Sequence, residues 1–148
     1  MKFENKVTMS DEQLQRISEG VDEGPIYMLN LLKFKDKAEY KDGRETNLSG
    51  KEAYAIYGKE VIKQLAKVGG SWTFGGNVKD ITVGEIDELW DQVAIAMYPS
   101  RRAMFDMVMD EEYLEIHVHR EAGLAGQLNI CLLYTSPSPL SLIHISEP

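Results

Sequence analysis

Apolar and polar positions alternate in a way that divides the chain into short, well-punctuated elements. In "SDEQLQRISEG", Ser10 and Gln13 stand at capping-box spacing and Gly20 supplies the stop, predicting a short leading helix. "GPIYMLNLLKF" predicts a strand with Ile26, Met28, Asn30, Leu32 and Phe34 on one face and Tyr27, Leu29, Leu31 and Lys33 on the other. Both faces are mostly apolar, so both are expected to be covered. Residues 35–48 read as a charged, exposed connection. Ser49 and Glu52 form a second capping box, launching a helix to about Val68 with Ala53, Tyr57, Val61, Leu65 and Val68 as its buried stripe. The glycines at 69 and 70 end it. "SWTFGGNV" predicts a strand with Trp72 and Phe74 on one side, and "KDITVGEIDELW" a short extension or hairpin. "DQVAIAMYP", beginning near Asp91, is the third main strand. Ser100 then caps a helix over about 101–109, Asp110 caps one over about 111–122, and "LAGQLNI" is the fourth strand.

The main order, β-α-β-β-α-β, is that of the ferredoxin-like α+β sandwich, an antiparallel sheet with helices on one face. A second copy is the economical cover for the other apolar face, so a homodimer forming a dimeric α/β barrel is expected. The division that follows is an N-terminal helical extension (1–24), a barrel domain (25–130) and a tail (131–148) that is non-native or disordered. The tail, "CLLYTSPSPLSLIHISEP", lacks Lys, Arg and Asp, and resembles translated sequencing-adapter read-through at the ends of metagenomic contigs. No function is expected of Cys131 or His144.

Composition narrows the function classes. The chain has 148 residues, 24 acidic against 16 basic, for a net charge of −8. That balance argues against a nucleic-acid partner, which needs a basic stripe, and against an anionic membrane surface. No apolar run reaches the ~18 residues of a membrane span. The start lacks the apolar core of a secretory signal, so a cytoplasmic location is expected. Cys131 is the sole cysteine, which leaves no intrachain disulfide and no cysteine-based metal site.

"PIYMLNLLKF", "GKEAYAIYGKE", "VGGSWTFGG", "YPSRRAMFDMVMDEEY" and "HREAGLAGQLNI" together resemble a small bacterial family of unknown function in the dimeric α/β-barrel superfamily. The resemblance covers residues 25 to about 130. It implies the fold and a homodimer but no reaction. Superfamily neighbours include cofactor-free monooxygenases, muconolactone isomerase, haem-binding enzymes and stress-responsive proteins without known catalysis.

Candidate chemistry concentrates in "YPSRRAMFDMVMDEEYLEIHVHR" (98–120). On a wheel with Tyr113 at zero, His117 falls at about +40°, Arg120 at about −20° and His119 at about 240°. His117 and Arg120 therefore look inward and His119 toward solvent. His117 is the proton shuttle available near neutral pH; Arg120 either serves a ligand, closes the helix C-terminus or pairs with a carboxylate. Asn30, an amide on an apolar strand face, either tethers backbone or presents itself to a ligand carbonyl. Tyr54, Tyr57, Trp72 and Tyr98 are core aromatics or the walls of an apolar cavity. Arg101 and Arg102 oppose the dipole of the helix they open, which suggests that one of them, with Arg101 the candidate, binds a carboxylate or bridges a dimer.

Dinucleotide, phosphate-loop, nucleophile-elbow and zinc-protease motifs are all missing. Only His117 and His119 precede the tail, so no metal is expected and no cofactor is called for, although a single-histidine haem site stays open. The expectation is a small-molecule-binding dimeric barrel acting as a cofactor-independent isomerase, lyase or monooxygenase on a small apolar carbonyl or enol compound. His117, Asn30 and Arg120 would be catalytic; Tyr54, Tyr57, Trp72, Tyr98 and Arg101 would bind substrate. The alternative is a non-catalytic ligand-binding or stress-associated homodimer.

Overall fold

Both capping boxes predicted from sequence form. In the computed structural model, which describes residues 3–19 and 24–133, Ser10 opens α1 (Asp11–Ser18) and Ser49 opens α2 (Gly50–Lys67). Each serine accepts from the backbone three residues on, while Gln13 or Glu52 accepts from the serine N–H, so two otherwise unpaired helix-end donors are met at each start. Ser100 caps α3 (Arg101–Val108) and Asp110 caps α4 (Glu111–Gly123), also as read. The strands are β1 (Ile26–Phe34), β2 (Ser71–Asn77), β3 (Gln92–Tyr98) and β4 (Leu124–Leu133).

The strands form one antiparallel sheet in the order β2-β3-β1-β4. Asn30 stands opposite Ala94 on one side and Asn129 on the other, so its face continues across three strands. That face carries Ile26, Met28 and Leu32 into a core shared with Tyr57, Val61 and Leu65 of α2 and Tyr113 of α4. Register places Leu29, Leu31, Val93, Ile95, Leu128 and Ile130 together on the opposite face, where they are half-buried or exposed.

The helices α2 and α4 meet at two glycines. A Cβ on Gly123 would be driven into the Gly50 carbonyl oxygen, and one on Gly50 would lie 2.7 Å from the Gly123 oxygen. Only bare backbones permit that approach. Lys35 N–H donates to Gly123 (2.8 Å) and Gly50 N–H to Lys35 (3.1 Å), locking the corner that orients α4.

Several expectations need correction. Trp72 and Phe74 do not share a face, because a bulge between them advances the register by one residue. Trp72 stays on the core side opposite Ala96, and Phe74 turns to the other, 55% exposed. Residues 78–91 form no hairpin: Ile81 and Val83 are exposed, so no apolar face holds a strand there. The segment returns as a loop closed by Val78 N–H to the Asp91 carbonyl (2.9 Å). Residues 35–48 are not wholly exposed either. Ala38 and Tyr40 pack with Ala53 and Ala122 in a second small core over the α2–α4 corner. β4 runs on through Cys131, Leu132 and Leu133, which pair with Met28, Tyr27 and Ile26. The rest of the tail, His144 included, lies outside the described residues.

Candidate functional site

A cavity of about 250 Å³ lies between the sheet and the helices. It gathers Asn30, Tyr54, Tyr57, Trp72, Tyr98, His117 and Arg120, seven of the eight residues singled out from sequence. Arg101 is the exception and lines a neighbouring cavity. Tyr54 and Tyr57 face inward because they sit on the buried stripe of α2, Tyr98 because it ends the alternating pattern of β3, and Trp72 because the bulge comes after it. Rings run in sequence from Tyr54 to Tyr57 (5.4 Å between centroids), to Tyr113 (6.1 Å) and to His117 (5.6 Å).

The polar groups are more fully engaged than the sequence implied. Asn30 Nδ2 donates to the carbonyls of Met28 and Ala94, both at 3.2 Å, and its Oδ1 accepts from Gln127 Nε2 at 2.8 Å. Both amide protons are used, so of the two readings of Asn30 the backbone tether is the one seen, with one acceptor position left over. Among the described residues, Arg120 neither caps α4 nor meets a carboxylate. It donates to Gln127 Oε1 and to the carbonyl of Val7, tying α4 to β4 and to the segment that precedes α1. Gln127, 5% exposed, is the hub that sequence reading missed. Its place on the Asn30 face of the last strand was the available signal.

His117 and His119 do part company, as the wheel requires. His119 is not simply solvated, however: its Nδ1 meets Tyr40 Oη at 2.7 Å, edge to face, on the far side of α4. His117 Nδ1 lies 2.8 Å from Glu121 Oε1, one helical turn on. Burial lowers the His117 pKa and the Arg120 charge lowers it further, outweighing Glu121. Burial alone would raise the Glu121 carboxyl, but Lys41 and His117 bring it below its usual value. A neutral imidazole beside an ionised carboxylate must donate through Nδ1, which leaves the Nε2 lone pair as an acceptor. That Nε2 is 3.5 Å from Arg120 Nη1, the outer limit of a hydrogen bond. Glu121 was also missed, although its i,i+4 spacing from His117 was legible.

The phenols cannot serve as bases. Burial pushes Tyr54 up to about 12, despite Arg120. It raises Tyr57 and Tyr98 as well, so all three remain neutral donors. Tyr57 and Tyr113 hydroxyls already meet at 3.0 Å. Among the described residues, no group of three His, Cys, Asp or Glu side chains is placed to hold a metal ion. No helix among them is long and apolar enough to cross a membrane.

A four-stranded antiparallel sheet with helices packed over an aromatic cavity defines an α+β cavity protein. Neither a family model nor a curated protein matches the chain. Among solved structures it is similar to RPA0582, a protein of unknown function from Rhodopseudomonas palustris, at 32% identity and a TM-score of 0.79, covering 90% of this chain and all 100% of that one. The methylated RPA0582 protein aligns at 35% identity and a TM-score of 0.80, over 90% and 97% of the two chains. The chain belongs to the family of that protein. The At3g17210 protein of Arabidopsis thaliana, at 15% identity, a TM-score of 0.50 and coverage of 76% and 98%, shares the fold alone.

Proposed function

We propose that the protein is a ferredoxin-like homodimer, a dimeric α/β barrel of bacterial origin, whose cavity binds a small, mainly apolar carbonyl or enol compound and moves a proton on it without a cofactor. The strand order β2-β3-β1-β4 and the row of Leu29, Leu31, Ile95 and Ile130 on the outer sheet face support the assembly. The observation that carries the chemistry is that His117, paired through Nδ1 with Glu121, lines the cavity. Glu121 fixes the tautomer, Nε2 accepts a proton from an acidic C–H, and the Arg120 charge with neighbouring phenols steadies the oxyanion that results. Asn30 acts by holding Gln127 and through it Arg120.

Hydrogen–deuterium exchange at the α-carbon of small cyclic ketones, followed by NMR in D2O, tests the proposal. Exchange faster than buffer is expected from the unmodified protein, falling about 100-fold or more in His117→Gln and unchanged in His119→Gln. Exchange at the buffer rate for every ketone, or a fully active His117→Gln, would sink it. The non-catalytic alternative draws on one observation: Asn30 and Arg120 are already satisfied by protein groups. In that case ketones would bind, by native mass spectrometry, without exchange.

A further inference from the structure

Four tyrosines line the cavity between sheet and helices, and their hydroxyls fall into two pairs. Those of Tyr57 and Tyr113 satisfy each other at 3.0 Å. Those of Tyr54, on α2, and Tyr98, at the end of β3, meet no hydrogen-bond partner among the described residues. Both residues are more than nine-tenths buried, at 7% and 5% exposed, yet neither hydroxyl is sealed away from the cavity. A buried hydroxyl left unpaired is costly, and phenylalanine would fill either place without that cost. Burial raises both phenols, so each is a neutral donor. The Arg120 charge acts on both and Tyr54 acts on Tyr98, which places the two hydroxyls within electrostatic reach of one another.

We infer, resting on the reading that this cavity binds a carbonyl compound, that its ligand is a monocyclic aryl ketone whose oxygen is held by the Tyr54 and Tyr98 hydroxyls. A ketone oxygen has two lone pairs and no proton, so two neutral donors suit it. Volume limits the body. An apolar cavity of about 150 Å³ already admits benzene, and a water-sized group takes about 30 Å³. The remainder of this 250 Å³ cavity therefore takes about three or four further heavy atoms. One ring with a short acyl chain fits, and two fused rings with the same chain do not. The wall favours an aromatic ring over a saturated one. Met28, Met104 and Met107 are buried along it, and Trp72 adds a ring. Thioether sulfur at a ring edge and offset stacking of rings both reward a flat π-system.

Isothermal titration of the full chain with acetophenone, ethylbenzene, cyclohexyl methyl ketone and 2-acetylnaphthalene tests the assignment. Acetophenone is expected to bind tightest. Ethylbenzene lacks the acceptor and cyclohexyl methyl ketone the flat ring, so each should be weaker by about threefold or more. The naphthyl ketone overfills the cavity and should be weaker by about tenfold or more. Tyr54→Phe and Tyr98→Phe should each weaken acetophenone by about threefold or more and leave ethylbenzene unchanged. Neither variant should melt below the unmodified protein, since no internal hydrogen bond is lost; an earlier melt in either would make that hydroxyl structural and overturn its role. Acetophenone that fails to bind, binds no better than ethylbenzene, or binds both variants as tightly as the unmodified protein overturns the carbonyl clamp. Equal binding of the cyclohexyl or naphthyl ketone overturns the monocyclic aryl body. Acetophenone held by the two phenols without exchange of its methyl protons leaves the clamp standing while proton transfer falls. Exchange of cyclic ketones with acetophenone bound no better than ethylbenzene does the reverse.

Discussion

Replacing Arg120 by Met isolates the polar hub. The substitution keeps an unbranched stem but removes the donors to Val7 and Gln127 Oε1. Gln127 is 5% exposed, so water cannot readily replace the lost donor there, whereas half-buried Val7 can recruit it. An orphaned buried acceptor costs about 1–3 kcal/mol, toward the upper end when the lost donor was charged. A net loss of roughly 2–3 kcal/mol is expected, or a fall in Tm of roughly 4–12 °C for a domain of this size. Urea unfolding followed by circular dichroism measures it. A double-mutant cycle with Gln127→Leu locates the effect. If Arg120 acts through Gln127, the double variant loses less than the sum of the singles by about 1 kcal/mol or more. Stability within about 0.5 kcal/mol of the unmodified protein, or strict additivity, would refute the hub.

Three further outcomes are expected. Gly123→Ala forces a methyl against the Gly50 carbonyl and should cost about 2 kcal/mol or more, read as a lowered Tm; an unchanged melt would mean that the α2–α4 corner is looser than it looks. The folded pKa of His117 is lowered, so the unfolded chain takes up the proton first as pH falls. Its contribution is therefore intact above about pH 6.5 and declines below that, toward the lower native value; urea midpoints at about pH 5.5 and pH 7.5 should differ less in His117→Gln, and an equal difference would discount it. Leu31→Glu sets a carboxylate in the apolar outer sheet face and should yield monomer or aggregate by light scattering, whereas a monomeric unmodified protein at micromolar concentration would remove the barrel assembly.

Local rules carried much of this molecule. Ser10–Gln13 and Ser49–Glu52 mark helix starts because a capping box needs only three residues of spacing. Period alone separates His117 and Arg120 from His119, since 100° per residue is a property of any helix. The aromatic cavity wall followed from the same arithmetic at Tyr54 and Tyr57. Tertiary structure decided the rest, beginning with which polar atoms meet. Asn30 and Gln127 are 97 positions apart, and their contact depends on the β1–β4 register. A single bulged residue sends Phe74 to the face opposite Trp72, a shift that alternation cannot anticipate. Tyr40 is buried because Gly50 and Gly123 let two backbones touch and bring the 35–48 segment over their corner. Periodicity assigns a side chain to a face, but a hydrogen bond is selective to within tenths of an ångström. Its partners are chosen only when distant segments are packed to that tolerance.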